Sequence, residues 1–103
     1  MSPQEPTTTV VDAAERRRYE IRVGDAVAGY ALYRDAPGTR VVVHTEIAAA
    51  HEGGGLGSRL AAGVLDDIRA HGWTVTPICP FIAAHIVRHP EYADLVRATG
   101  RAS

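Results

Sequence analysis

"HTEIAAAHEGGGLGSRLAAGVLDDI", residues 44–68, decides how this chain is read. An alternating stretch runs into three consecutive glycines. A fourth glycine follows one residue later, and a four-residue apolar repeat starts at once. Glycine loses more backbone freedom on folding than any other residue, so four of them at the mouth of a helix need a reason. Before the run, "RVVVHTEI" (40–47) alternates as a strand does. Val41, Val43, Thr45 and Ile47 are expected on one face, and Val42, His44 and Glu46 on the other. After the run, Leu56, Leu60, Val64 and Ile68 recur every four residues, with Ala61 and Leu65 beside them. That spacing predicts an amphipathic helix of about 15 residues, stopped by His71 and Gly72.

Upstream, Val10 and Val11 suggest a short first strand. "ERRRYEIRV" (15–23) reads as the next, with Tyr19, Ile21 and Val23 alternating against Arg18, Glu20 and Arg22. Gly24-Asp25 is a tight hairpin signal. "AVAGYALYR" (26–34) is apolar on both faces, as a central strand is, and Pro37-Gly38 suits a type II turn. Downstream, "WTVTPI" (73–78) is a last strand. "PFIAAHIVR" (80–88) and "PEYADLVRA" (90–98) are two helices, each with proline in its first turn. The fold class is α/β (α+β): an antiparallel meander, a helix, a strand parallel to the one before it, and C-terminal helices. The strand–helix–strand passage is expected to cross over right-handed. Residues 8–98 form the expected single domain, between tails at 1–7 and 99–103; the opening "MSPQEPTTT" reads as loose chain.

Composition narrows the function classes. With 103 residues, 46% apolar and 22% charged, the chain is an ordinary globular domain. A formal net charge of −1 argues against a nucleic-acid coat or a binder of anionic membranes. No apolar run approaches the roughly 20 residues that cross a bilayer. The N-terminus lacks the regions of a secretory signal. One cysteine makes no internal disulfide, which fits a reducing cytoplasm. The length and edge strands allow a monomer or a homodimer.

The first turn of a helix presents unpaired N–H groups and a partial positive charge. Side-chain-free residues there let an anion approach them. Gly53, Gly54, Gly55, Leu56 and Gly57 therefore read as an anion cradle, to which Ser58 can add a hydroxyl. The alternative is a flexible connector with no ligand. A Walker loop needs Gly-Lys-Ser/Thr at its end, and this run has no lysine. A Rossmann site needs a longer, doubly wound sheet.

The stretch from "HTEI" through "HEGGGLGSRLAAGVLDDI" resembles the acyl-CoA-binding signature of the GNAT superfamily of acetyltransferases, Gln/Arg-x-x-Gly-x-Gly/Ala. Gly55 and Gly57 fall on its glycine positions, and Glu52 departs from its Gln/Arg. Together with "PICPF" and "RHPEYADL", the likeness extends over about residues 8–97 and is to the short, single-domain GNAT-like branch. The resemblance implies a sheet that splays between the third and last strands. Acetyl-CoA or CoA would lie in the split, its pantetheine arm paired near Ile47 and Ala48 and its pyrophosphate on residues 53–58. It implies transfer of an acetyl group to a small or protein amine, or else a non-catalytic CoA-binding module.

Three residues are the candidates for chemistry. Cys79 precedes Pro80 and so caps a helix, where positive potential lowers a thiol pKa; it reads as an acyl-accepting nucleophile or as a small buried hydrophobe. His44 and Glu46 share a strand face and read as a base with its orienting partner, or as a solvent-facing polar stripe. His85 and His89, four apart, have the spacing of a zinc pair without a third ligand, and no metal is expected. Tyr92 reads as core or interface packing, and the resemblance implies the alternative of a proton donor to a leaving thiolate. His51 stands beside the cradle or in solvent, Trp73 packs, and the "ERRR" run is a solvated edge.

Overall fold

A computed structural model describes residues 7–96. Five strands pair in sequence order, so β3 is central: β1 (Thr8–Ala13), β2 (Arg18–Val23), β3 (Ala26–Ala36), β4 (Thr39–Ile47) and β5 (Thr74–Pro77). β1 to β4 form an antiparallel meander, and β5 lies parallel to β4. Gly24 and Gly38 supply the positive φ of the two hairpin turns, at 59° and 74°. The helix that connects β4 to β5, α1, spans Leu56–Ala70, and α2 spans Pro80–Arg88. Among the described residues, no helix is long and apolar enough to cross a membrane.

Both helices cover the same face of the sheet. Leu60, Val64, Leu65 and Ile68 of α1 and Ile82 and Ile86 of α2 share one core with Tyr19, Ile21, Ala31, Tyr33, Val42 and Val75. The opposite face carries Glu20, Tyr30, Leu32, His44 and Glu46, by register.

Four expectations need correction. The strand expected over 15–23 starts only at Arg18: Ala14–Arg16 form a 3-10 turn, and Arg17 takes a left-handed φ of 55° to leave it. The "ERRR" run is therefore not a free edge. β2 lies between β1 and β3, and Arg16 and Arg18 bond to Glu20. Thr8 and Thr9, read as loose chain, belong to β1. The third helix is a 3-10 segment, Pro90–Leu95, because Val96 turns back to bridge Val75 beside β5. The expected tails otherwise fall outside the described residues, as do positions 97 and 98.

The fourth correction matters most. Val42 pairs with Tyr33 and His44 with Leu32, so Val43 is left over as a bulge. An extra residue inverts every side chain beyond it. Val42 therefore shares the helix-covered face with Thr45 and Ile47, while Val41 shares the open face with His44 and Glu46.

Two charged clusters brace the sheet. Arg40 is 4% exposed. It forks onto Asp35 at 2.6 and 2.8 Å and reaches Tyr19 Oη at 2.9 Å and Asp12 at 3.2 Å. Its guanidinium lies 3.8 Å from the Tyr33 ring centroid and 4.6 Å from that of Trp73. On the open face the Glu20 side chain, 1% exposed, accepts from Arg16, Arg18 and Arg22.

Hydrogen bonds from Arg22 and then Arg18 hold the Glu20 carboxyl below the usual range, against the opposing effect of burial. The unfolded value is about 4.3. Between the folded value and that one the unfolded chain binds the extra proton, so stability rises with pH. The contribution is complete above pH ~4.3 and disappears as pH falls through the folded value. Glu20→Gln is expected to cost about 1.5–3 kcal/mol at pH 7, the range for hydrogen bonds to charged groups. It also flattens the acid side of the stability curve. Urea denaturation at pH 3 to 7 checks both; an unchanged slope would remove Glu20 from the acid response.

Candidate functional site

The site begins where β4 and β5 part. Their ladder runs from Thr39↔Thr74 to Val42↔Pro77 and stops. Proline has no N–H to extend it. Cys79 N–H closes on Val42 C=O at 2.9 Å, and the chain turns into α2 at Pro80. From Val43 to Ile47, β4 has no partner on its β5 side among the described residues. Ala48 N–H donates to Ala28 C=O on the β3 side. By antiparallel alternation, Thr45 and Ile47 turn their main-chain groups the other way, into the split. Ala48 was expected to pair there too, but its N–H is taken by Ala28 and its C=O accepts from His51 N–H at 2.8 Å. Ile47 and Thr45 keep main-chain groups directed into the split.

The glycine run closes the open end of the split. A 3-10 turn, Ala49–His51, leads from β4 into it. Gly53 and Gly55 have φ of 89° and 78°, a region that L side chains enter only with strain. Gly55 is the N-cap of α1, and no side chain caps the helix. The first bond across the helix start is Arg59 N–H to Gly55 C=O at 3.2 Å. The N–H groups of Leu56, Gly57 and Ser58 thus precede the helical ladder. A Cβ at Gly53 or Gly55 would meet nothing within 4 Å; one at Gly57 would come within 2.9 Å of the Phe81 ring. The loop is bare where it faces outward and tight where α2 crosses it.

Split and loop share one cavity of about 280 Å³. Thr45 and Ile47 line it from β4; His51, Glu52, Gly53 and Gly55 from the loop; Leu56, Gly57 and Phe81 from the helices. Gly54 and Ser58 flank this wall in sequence. The residues fit an elongated ligand with an anionic end: main-chain donors gather at one end, and apolar walls and a free strand edge form the rest. Glu52 is the acidic member of the lining.

Cys79 is the N-cap of α2, as expected, and is 3% exposed. Its thiol donates to Thr45 Oγ1 at 3.4 Å, behind the cavity wall that Thr45 forms. His44 and Glu46 come together, with His44 Nε2 3.1 Å from Glu46 Oε1. Tyr30 Oη donates to the same oxygen at 3.0 Å. His44 first, then Tyr30, holds the Glu46 carboxyl below its usual range, and Glu46 in turn raises the Tyr30 phenol. This pair stands on the open face of β4, across the sheet from Cys79. Tyr30 carried no signal in its own strand; only the β3–β4 register brings it to Glu46.

Tyr92 lies away from this cavity. It donates to Asp66 at 2.8 Å, and burial and then that bond push its phenol up to about 12. His85 and His89 stack with centroids 4.1 Å apart. No group of three metal-ligating side chains occurs among the described residues.

A meander, a helix opened by a bare glycine turn, and a parallel strand that leaves its neighbour define a class of mixed α/β domain. The family model described as GCN5-related N-acetyl-transferase matches residues 18–95, and the chain belongs to that family. Its activity is accordingly of the acyltransferase type. No curated protein matches the chain.

Gly29 sets the position of the free strand end. A Cβ there would lie 2.5 Å from Ile47 Cδ1 and 2.7 Å from the Glu46 carbonyl oxygen, which is backbone and cannot swing aside. Gly29→Ala is expected to cost about 1–3 kcal/mol, the usual range for overpacking. The shift should appear in the amide resonances of residues 45–47. A variant as stable as the parent, with those resonances unmoved, would show that β4 is not held there.

Proposed function

We propose that the chain is an acetyl-CoA-dependent N-acetyltransferase that delivers an acetyl group to a small or protein amine. The observation that carries this reading is the single cavity shared by the glycine loop and the free edge of β4. Main-chain N–H groups from Gly53 to Ser58 bind the diphosphate. Thr45 and Ile47 offer the main-chain groups that an extended arm pairs with, as an added strand does. Acetyl-CoA supplies the acetyl group as an activated thioester.

As the acceptor amine forms its bond to the acetyl carbon and the thioester C–S bond breaks, His44 takes the amine proton and the Glu46 carboxylate stabilises the resulting imidazolium. That proton goes on to the departing thiolate. Beside them on the open face lies a second hollow of about 280 Å³, lined by Arg18, Val27, Tyr30, Glu46 and Ala48 among others. The acceptor approaches from this side, and the split beyond Val42 is the passage between the two faces.

Cys79 supports a second route, because its thiol touches the residue that walls the cavity. There the Cys79 sulfur forms a thioester with the acetyl group as CoA leaves with the thiol's proton, and the amine then breaks that thioester, its proton restoring the Cys79 thiol. Its burial speaks against this route; the small acceptor-binding surface of a short chain supports instead a module that binds CoA without turnover. The chain contains no lysine, so labelled acetyl-CoA has no lysine side chain to modify. Label held on the protein and released by hydroxylamine marks an acetyl-cysteine.

Calorimetry on the parent is expected to show binding of CoA and acetyl-CoA, and Gly55→Asp to lose it, since a carboxylate would stand where the diphosphate binds. Unaltered binding in that variant would refute the cradle. His44→Ala is expected to lower kcat on an amine panel about 100-fold or more, the usual range for a positioned base, while the Kd for CoA stays unchanged. If Cys79→Ala abolishes turnover and His44→Ala does not, the thiol route replaces the direct one. CoA binding without turnover on any amine leaves the module.

A further inference from the structure

The hollow on the open face of the sheet has two poles of opposite sign. At one stands the Glu46 carboxylate. Its Oε1 takes both His44 Nε2 and Tyr30 Oη, while its Oε2 has no partner among the described residues. At the other stands Arg18. It commits Nε and Nη2 to Glu20 Oε2, at 2.9 and 2.7 Å, and its Nη1 has no partner among the described residues. Both side chains line the same hollow. Between them lies the Tyr30 ring, its centroid 4.9 Å from the Arg18 guanidinium carbon.

The positive pole is larger than folding requires. Arg18 and Arg22 already occupy both oxygens of Glu20, Arg22 reaching Oε1 from Nε at 3.2 Å and from Nη2 at 2.7 Å. That is enough to compensate one buried carboxylate. Arg16 adds a third guanidinium at 3.4 Å. Three such groups on one carboxylate leave two positive charges in surplus, and the Arg16 and Arg22 side chains are 60% and 41% exposed.

We infer that the acceptor is a small amine that carries a carboxylate several bonds away from its nitrogen. The inference rests on the transferase reading above and names the substrate class of that site. The ammonium end is drawn to Glu46 Oε2, beside the base His44. The carboxylate end takes a charge-assisted hydrogen bond from Arg18 Nη1. With one nitrogen left to give, Arg18 suits a monoanion. The sheet sets the separation. β2 and β4 flank β3, so the poles are rooted roughly 10 Å apart, and Arg18 shortens the gap by reaching over Tyr30. An α-amino acid holds its charges too close together to meet both poles. The linking carbons lie against the Tyr30 ring and the side chains of Val27 and Ala48. The surplus charge turns away polyamines and lysine-rich tails, since like charges facing each other are costly. Acetylation makes the nitrogen a neutral amide, so the product keeps one of the two holds and leaves.

Initial rates with acetyl-CoA and three amines of matched length test the assignment on the parent chain: 5-aminopentanoate, pentylamine and 1,5-diaminopentane. Their far ends are negative, neutral and positive. A hydrogen bond to a charged group predicts a kcat/KM about tenfold or more higher for 5-aminopentanoate than for pentylamine, with the diamine lowest. The preference should reside in KM and shrink as salt is added, because exposed charges are screened. Arg18→Gln should bring 5-aminopentanoate and pentylamine within about twofold of each other. Its thermal midpoint and its Kd for CoA report that the variant is folded with its cofactor site intact. Equal kcat/KM for the three amines, or a preference for the diamine, would overturn the acceptor class and leave the transferase reading standing. So would a folded Arg18→Gln variant that keeps the parent's preference, or acetylation of other amines but none of these three. No turnover on any amine would overturn both.

Discussion

The site exists because a strand loses its neighbour halfway along. β4 and β5 pair as far as Val42 and Pro77, where the missing proline N–H and the cap of α2 end the ladder. An unpaired strand edge is ordinarily a liability, since it invites other chains to pair with it. Here the edge is recessed behind α1, α2 and the glycine turn, so that what reaches it must be narrow and extended. Most of the remaining structure can be understood as holding the two strands together at one end and apart at the other.

The closed end is pinned from both faces. On the helix-covered face, Arg40 takes up Asp35, Asp12 and Tyr19 and lies against Tyr33 and Trp73. A charge buried this deeply is tolerated because its donors have acceptors. On the other face, Thr39 Oγ1 bonds to Thr74 C=O at 3.1 Å and lies 2.9 Å from Thr76 Oγ1. The open end is held across the split by a longer bond, from the Cys79 thiol to Thr45 Oγ1 at 3.4 Å. It is shaped by exclusion: Gly29 brings β3 close under Ile47, and Gly57 brings α1 close under Phe81. Small residues at the open end and charged ones at the closed end are two ways of fixing one wedge.

The bulge at Val43 joins the wedge to the chemistry. It places Thr45 and Ile47 in the cavity and turns His44 and Glu46 to the opposite face, where Tyr30 and the arginine-ringed Glu20 lie. One short strand thereby borders two surfaces, a covered one at the cavity and an exposed one at the Tyr30–His44–Glu46 cluster. The two are separated by the thickness of a single sheet, and the gap beyond Val42 is where it is breached.

Local signals were enough for most of the elements, though not for the start of β2 or for the helix expected after Pro90. The four-residue apolar repeat defined α1 as Leu56–Ala70, proline and its neighbours defined α2 as Pro80–Arg88, and glycine turns set the hairpins, because each depends on a few adjacent residues. The glycine run marked the uncapped start of α1 for the same reason: bare main chain at a helix start is a local property. What the sequence could not decide depends on partners distant along the chain. The bulge at Val43 exists only in register with Leu32 and Tyr33. Glu20 looked like one more solvent-facing residue until three arginines closed over it. Arg18 and Glu46 acquire a shared hollow only when β2 and β4 flank β3. Periodicity assigns a side chain to a face; only the folded sheet and helices determine what stands opposite it.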